Sequence, residues 1–283
     1  MTAKDDGRIQ LLGRRRYRVE RDWSRLPEGM RLDHPSKVAC DSAGRVYLFC
    51  RQDPPVLVFS ADGELEATWG DGLIADAHGI FIDSADRVFL VDRDAHQIVV
   101  TDTDGAELMR IGERNRPAFG APFNHPTDVA VAADGEIYVA DGYGNSCIHR
   151  FDAEGRHLSS WGGAGTEPGA FSTPHGIWVT PADEVLAGDR ENDRVQIFNR
   201  DGGYKAELRG LYHPMSIWGG ADGMIYVSDQ VPAIVAYDAA GRIVGRARGA
   251  LNGGHGLYGD PSGNLFLAEQ RPPSLTRLAL LAD

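Results

Sequence analysis

A six-fold internal repeat fills nearly all of the 283 residues of this chain and constrains its fold more than any other feature. The copies align on an apolar residue, Val38, Ile80, Val129, Ile177, Ile217 and Leu257, at spacings of 42, 49, 48, 40 and 40 residues. Such spacings match a four-stranded propeller blade. Each copy holds short apolar runs, such as Val129-Ala130-Val131 and Ile137-Tyr138-Val139-Ala140, separated by Asp- and Gly-rich turns such as Ala133-Asp134-Gly135. Strand-like runs between turn residues, with no long run at the helical period, predict an all-β chain. We therefore expect a single domain over residues 1–283, a six-bladed β-propeller. Radial sheets left open at the first and last blade would expose strand edges. The N-terminal segment 1–33, through Tyr17-Arg18-Val19-Glu20, is expected to supply the closing strand.

The repeat is not uniform. Two places before the aligned residue lie Ser36, His78, Thr127, His175, Met215 and His255, so every second copy carries a histidine followed by glycine. The odd copies place theirs two residues earlier, as His34-Pro35, His125-Pro126 and His213-Pro214. A purely structural repeat has no reason to alternate, whereas a three-ligand site on a pseudo-three-fold axis does. The histidines are read as preceding the innermost strand of their blades, near one mouth of the channel. Three neutral imidazoles without an adjacent carboxylate or thiolate suit Zn²⁺ and leave a fourth position open. By ligand type Fe²⁺ or copper also fits.

Thirteen places after each aligned residue comes the loop that ends the second strand, at Arg51, Arg93, Gly142, Arg190, Gln230 and Gln270. In a meander these loops open on the histidines' face. Arg51 and Arg190 could clamp a carboxylate in bidentate fashion. Their charge would favour ionisation of Tyr143, one place beyond the third copy's position, making it a candidate general base. The competing structural reading gives the histidines packing roles and the arginines inter-blade ion pairs, with acids such as Asp189 and Glu191.

A net charge of -12 argues against nucleic acid or an anionic membrane surface as partner. No apolar run approaches the roughly 20 residues that span a bilayer. The start, Met1-Thr2-Ala3-Lys4-Asp5-Asp6, lacks the apolar core of a secretory signal, and Cys40, Cys50 and Cys147 form no disulfide framework. A cytoplasmic protein acting on a small-molecule or peptide-like carboxylated substrate is the expectation. Oligomeric state is left open.

The segments Phe123-Asn124-His125-Pro126-Thr127-Asp128-Val129-Ala130-Val131 and Asp141-Gly142-Tyr143-Gly144-Asn145-Ser146 closely resemble peptidyl-α-hydroxyglycine α-amidating lyase, a six-bladed propeller of NHL-type repeats. So do Pro168-Gly169-Ala170-Phe171, Pro174-His175-Gly176 and Asp189-Arg190-Glu191-Asn192-Asp193-Arg194-Val195-Gln196. The resemblance implies that His78, His175 and His255 are zinc ligands, Tyr143 the catalytic base, and Arg51 and Arg190 the carboxylate-binding arginines. It also implies cleavage of the C–N bond of a peptide ending in α-hydroxyglycine, releasing the peptide amide and glyoxylate. The family's structural calcium uses an Asp directly after the third histidine; that position is Gly256, so Ca²⁺ is not expected here. Gly253 replaces the family's methionine and opens one wall of the site, while Arg93 adds a positive charge and is a candidate substrate contact. These departures keep two alternatives open. One is a metal-dependent hydrolase, hydratase or isomerase using the same residues. The other is a non-catalytic NHL propeller that binds partner proteins.

Overall fold

The computed structural model describes residues 5–21, 23–248 and 253–282; the leading Met1–Lys4 of the polar N-terminus lie outside the described residues. Six antiparallel sheets are arranged around one axis, five of four strands and the last of five. The innermost strand of each blade lies against those of both neighbours, and the sixth against the first, so the ring is complete. Among the described residues the only helix is a 3₁₀ turn at Arg190–Asn192.

Local chemistry explains the blade. In blade 3, Asp128–Val131 is innermost, followed outward by Ile137–Asp141, Cys147–Phe151 and His157–Gly162. The inner three strands are buried on both faces and read as near-continuous apolar runs; the outermost strand is mostly exposed and polar. Phe89, Val91, Ile98, Phe123, Val139 and Phe151 fill the wedge between blades 2 and 3. The hairpin turns explain the many aspartates. Asp83 Oδ1, for example, accepts the backbone N–H groups of Ala85 and Arg87, both at 2.9 Å, and Asp102, Asp152 and Asp238 do the same in their turns.

The ring closes as expected. Arg15–Glu20 pairs with Pro273–Leu280 of blade 6, bringing Tyr17 opposite Leu280 and Glu20 opposite Arg277. An ion pair of 2.6 Å between Arg277 and Glu20 covers this seam. The sequence did not suggest the fifth strand, Asp5–Leu12, which pairs outside Arg15–Glu20 and reaches blade 5.

Candidate active site

His78, His175 and His255 lie inside the innermost strands Ala77–Ile82, Pro174–Val179 and Gly254–Gly259, rather than before them. In each strand the pairing register shifts at the histidine, between Ala77 and Ile80, Pro174 and Ile177, and Gly254 and Gly256. A bulge of this kind re-aims one side chain without ending the strand, and here it turns each imidazole towards the axis. The glycine after each histidine lets the next blade approach. A Cβ on Gly176 would stand 2.8 Å from the Met215 carbonyl oxygen, and one on Gly256 only 2.5 Å from Lys37 Cα.

That approach orients the rings. His78 Nδ1 lies 2.6 Å from the Thr127 carbonyl oxygen, His175 Nδ1 2.8 Å from that of Met215, and His255 Nδ1 2.7 Å from that of Ser36. A carbonyl only accepts, so every Nδ1 carries the ring proton and every Nε2 offers a lone pair. The acceptors occupy the same repeat slot in the odd copies as the histidines do in the even ones. Ring centroids form a nearly equilateral triangle, 4.9, 5.1 and 5.1 Å on a side. One ligand nitrogen from each ring falls within 4.8 Å of the other two.

Burial holds all three rings neutral. It pushes His78 and His175 well below the usual imidazole range and His255 down to about 3, with neighbouring imidazoles and the Arg51 and Arg190 guanidinium groups adding to the effect. The buried Nε2 of His175 has no hydrogen-bond partner among the described residues. An orphaned lone pair, three neutral imidazoles and a carbonyl fixing each tautomer together fit a zinc ion with an open coordination position.

Tyr143 stands at the edge of this triangle, 39% exposed. Its hydroxyl lies 3.2 Å from His78 Nε2, to which it donates, and accepts from Arg190 Nη1 at 3.3 Å. The Arg93 and Arg190 guanidinium carbons sit 5.5 and 5.6 Å from the centroid of its ring. Arg190 also pairs with Glu191 at 2.7 Å, while Asp189 is taken by Asn192, Arg194 and Gln196. Arg51 and Arg93 share Asp76, at 3.2 and 2.9 Å, and Arg93 reaches Asp94 as well. The structure thus brings all seven candidate residues to one mouth of the channel. The odd-copy histidines play a supporting part: the His34 and His125 carbonyls accept the backbone N–H of Arg51 and Tyr143, at 3.2 and 3.4 Å.

One feature was not anticipated, and a second matches the expected opening at Gly253. Lys37 and Asp128 form a buried ion pair lining the axial void behind the three histidines. A lysine directly before the apolar run Val38-Ala39-Cys40 of an innermost strand was the signal available in the sequence. Beside His255 the site opens into a cavity of about 260 Å³, lined by Met215, Asp229, Gln230, Gly253 and Gly254 among others. The open wall at Gly253 is therefore real space.

Comparison with known proteins follows the same line. The NHL repeat family model matches residues 123–151. Peptidylglycine alpha-amidating monooxygenase of Rattus norvegicus is 34% identical over 161 residues, covering 53% of this chain and 16% of that protein. Peptidyl-alpha-hydroxyglycine alpha-amidating lyase 1 of Drosophila melanogaster is 34% identical over 151 residues, covering 49% of this chain and 28% of that protein. The chain therefore spans less than a third of the length of either relative. Among solved structures, a gluconolactonase from Xanthomonas campestris superposes with a TM-score of 0.76 at 17% identity, covering 99% of this chain and 96% of that one. This likeness concerns the fold alone. The chain is a six-bladed β-propeller with an NHL repeat, and its sequence is similar to those of the peptidyl-α-hydroxyglycine α-amidating lyases.

Proposed function

We propose that this protein is a metal-dependent carbon–nitrogen lyase acting at a hydroxylated carbon of a small carboxylated substrate. One observation carries the reading: three imidazole lone pairs converge beside a tyrosine hydroxyl that also touches an arginine. His78, His175 and His255 would hold the metal, which when bound supplies Lewis acidity to a substrate oxygen.

The chain's own residues account for the remaining steps. Arg51 donates from Nε to the Ala77 carbonyl, with Asp76 at 3.2 Å, and its terminal fork would receive a carboxylate. Arg190 shares that task, and Arg93 widens the cationic rim. Tyr143 takes the proton of the substrate hydroxyl. As the carbonyl forms, the carbon–nitrogen bond breaks, and Tyr143 passes the proton it took to the departing nitrogen, which leaves as an amide. The cavity beside Gly253 accommodates the departing half.

Glyoxylate release from N-acyl-α-hydroxyglycines, measured together with metal content, tests this reading. Release by wild type, lost in Tyr143→Phe at unchanged metal content, supports it. Failure to release glyoxylate from any such compound by metal-loaded protein would sink it. A partner-binding propeller without catalysis predicts no metal that depends on the axial histidines, so comparing the metal content of wild type and His175→Ala separates the two classes first.

A further inference from the structure

At the end of the second strand of several blades an acidic residue faces the opening of the third strand. Asp92 lies across from Gln97, Asp141 from Cys147, Asp189 from Arg194 and Glu269 from Ser274. In blades 2, 4 and 6 the third strand gives this acid strong hydrogen-bond donors. Gln97 Nε2 reaches Asp92 at 2.9 Å; Arg194 Nε and Gln196 Nε2 reach Asp189 at 2.7 and 3.0 Å; Ser274 and Thr276 hydroxyls reach Glu269 at 2.8 and 2.5 Å. Blade 3 differs. It offers His149, whose Nε2 reaches the acid at 3.1 Å, together with Cys147, whose thiol is a poor donor. Capping a carboxylate explains the histidine and leaves the cysteine beside it unexplained.

Metal coordination does. Cys147 Sγ lies 3.4 Å from His149 Nε2, which lies 3.1 Å from Asp141 Oδ2, and one ligand atom from each of the three residues falls within 4.8 Å of the other two. Tetrahedral zinc, with a bond of about 2.3 Å to sulfur and about 2.0–2.1 Å to nitrogen and oxygen, sets its ligand atoms roughly 3.3–3.6 Å apart. The first two separations are within a few tenths of an ångström of that. The supports a metal site needs are also present. His149 Nδ1 meets Ser160 Oγ at 2.7 Å, and Asp141 Oδ2 accepts from Asn145 Nδ2 at 2.6 Å and the Asn124 backbone N–H at 2.9 Å. Asp141 and His149 are fully buried, a setting that tolerates a dication only when its charge is balanced. One thiolate and one carboxylate balance it.

We propose that blade 3 carries a second metal site, a zinc centre formed by Asp141 Oδ2, Cys147 Sγ and His149 Nε2, distinct from the three axial histidines. Coordination releases the thiol proton to solvent. The imidazole proton moves from Nε2 to Nδ1, where Ser160 Oγ accepts it, and solvent fills the fourth position. Burial beside Asp141 raises the free thiol to about 12, so the ion must displace a firmly held proton and binds more weakly as the pH falls. Asp141 and Cys147 bracket the loop 142–146 that carries Tyr143, so the ion would clip both ends of that loop.

Cobalt(II) substitution of the full chain provides the test, because the axial histidines include no thiolate. The expected result is a near-ultraviolet thiolate-to-cobalt charge-transfer band in wild type. It persists in His175→Ala and disappears in Cys147→Ser, and Cys147→Ser also holds one equivalent of zinc fewer than wild type. Absence of the band from cobalt-loaded wild type, or its persistence in Cys147→Ser, overturns the proposal. Both outcomes are independent of whether the axial site binds metal or releases glyoxylate, so the two readings fail separately.

Discussion

His78, His175 and His255 each commit one nitrogen to a carbonyl of the following blade and leave the other facing the axis. Removing one ring subtracts a ligand and one hydrogen bond to the following blade, while the apolar clusters that join the blades remain. His175→Ala is therefore expected to lose the axial metal, seen by elemental analysis, while keeping its β-sheet circular dichroism. Tyr143 is partly exposed and its hydroxyl meets His78 and Arg190, so Tyr143→Phe should leave both fold and metal content intact. If the hydroxyl is the general base, turnover of an α-hydroxyglycine substrate falls by about 10²–10⁴-fold in that variant. Retained turnover would remove Tyr143 from the mechanism. The identities of these residues were legible because the repeat exposes them by position. Their partners were not: Lys37 meets Asp128 across 91 residues of sequence, and nothing in either local segment names the other.

Within a blade, the innermost strand is held by contacts its own sequence does not contain. Gly256 packs against Ser36 and Lys37 of blade 1, the segment whose carbonyl orients His255. Gly256→Ala should force those strands apart and cost about 1–3 kcal/mol. It should also weaken axial metal binding, measurable by competition with a chelator. The end of the second strand makes a different prediction. Asp229 occupies the same place in blade 5 as Asp92 and Asp189 in theirs, yet its buried Oδ1 has no hydrogen-bond partner among the described residues. Burial raises its pKa from the usual 3.8 to about 6. A raised folded-state value means the native protein binds this proton more tightly than the unfolded chain. The stabilisation is complete below about pH 4 and is lost as the pH rises through about 6. Asp229→Asn should remove that dependence and make the protein more stable than wild type above pH 6, by at most about 3 kcal/mol. Thermal melts at several pH values would show it; parallel wild-type and variant curves would contradict it.

At the level of the whole molecule, the ring is joined by one seam. Leu12, Tyr17 and Val19 of the N-terminal hairpin are fully buried against blades 5 and 6. Each contributes about 2 kcal/mol of burial, and without them Pro273–Leu280 becomes an open edge. Deleting residues 1–20 should lower Tm by on the order of 10 °C and promote self-association, measured by melting and size-exclusion chromatography. An unchanged Tm would show that the seam carries no load.

The sequence alone determined the blade count, the all-β class, the closing segment and the three histidines. The closing segment follows from the edges an open ring would expose; the others follow from periodicity, and periodicity is local information repeated. Tertiary structure alone decided which way each imidazole faces, that Arg51 and Arg93 share Asp76, that Lys37 and Asp128 sit behind the histidines, and that Cys147 and His149 close on Asp141. The physical reason is common to these cases. Side-chain direction depends on bulges, on strand register and on how close one backbone comes to another, and those distances exist only once the six sheets have closed on each other.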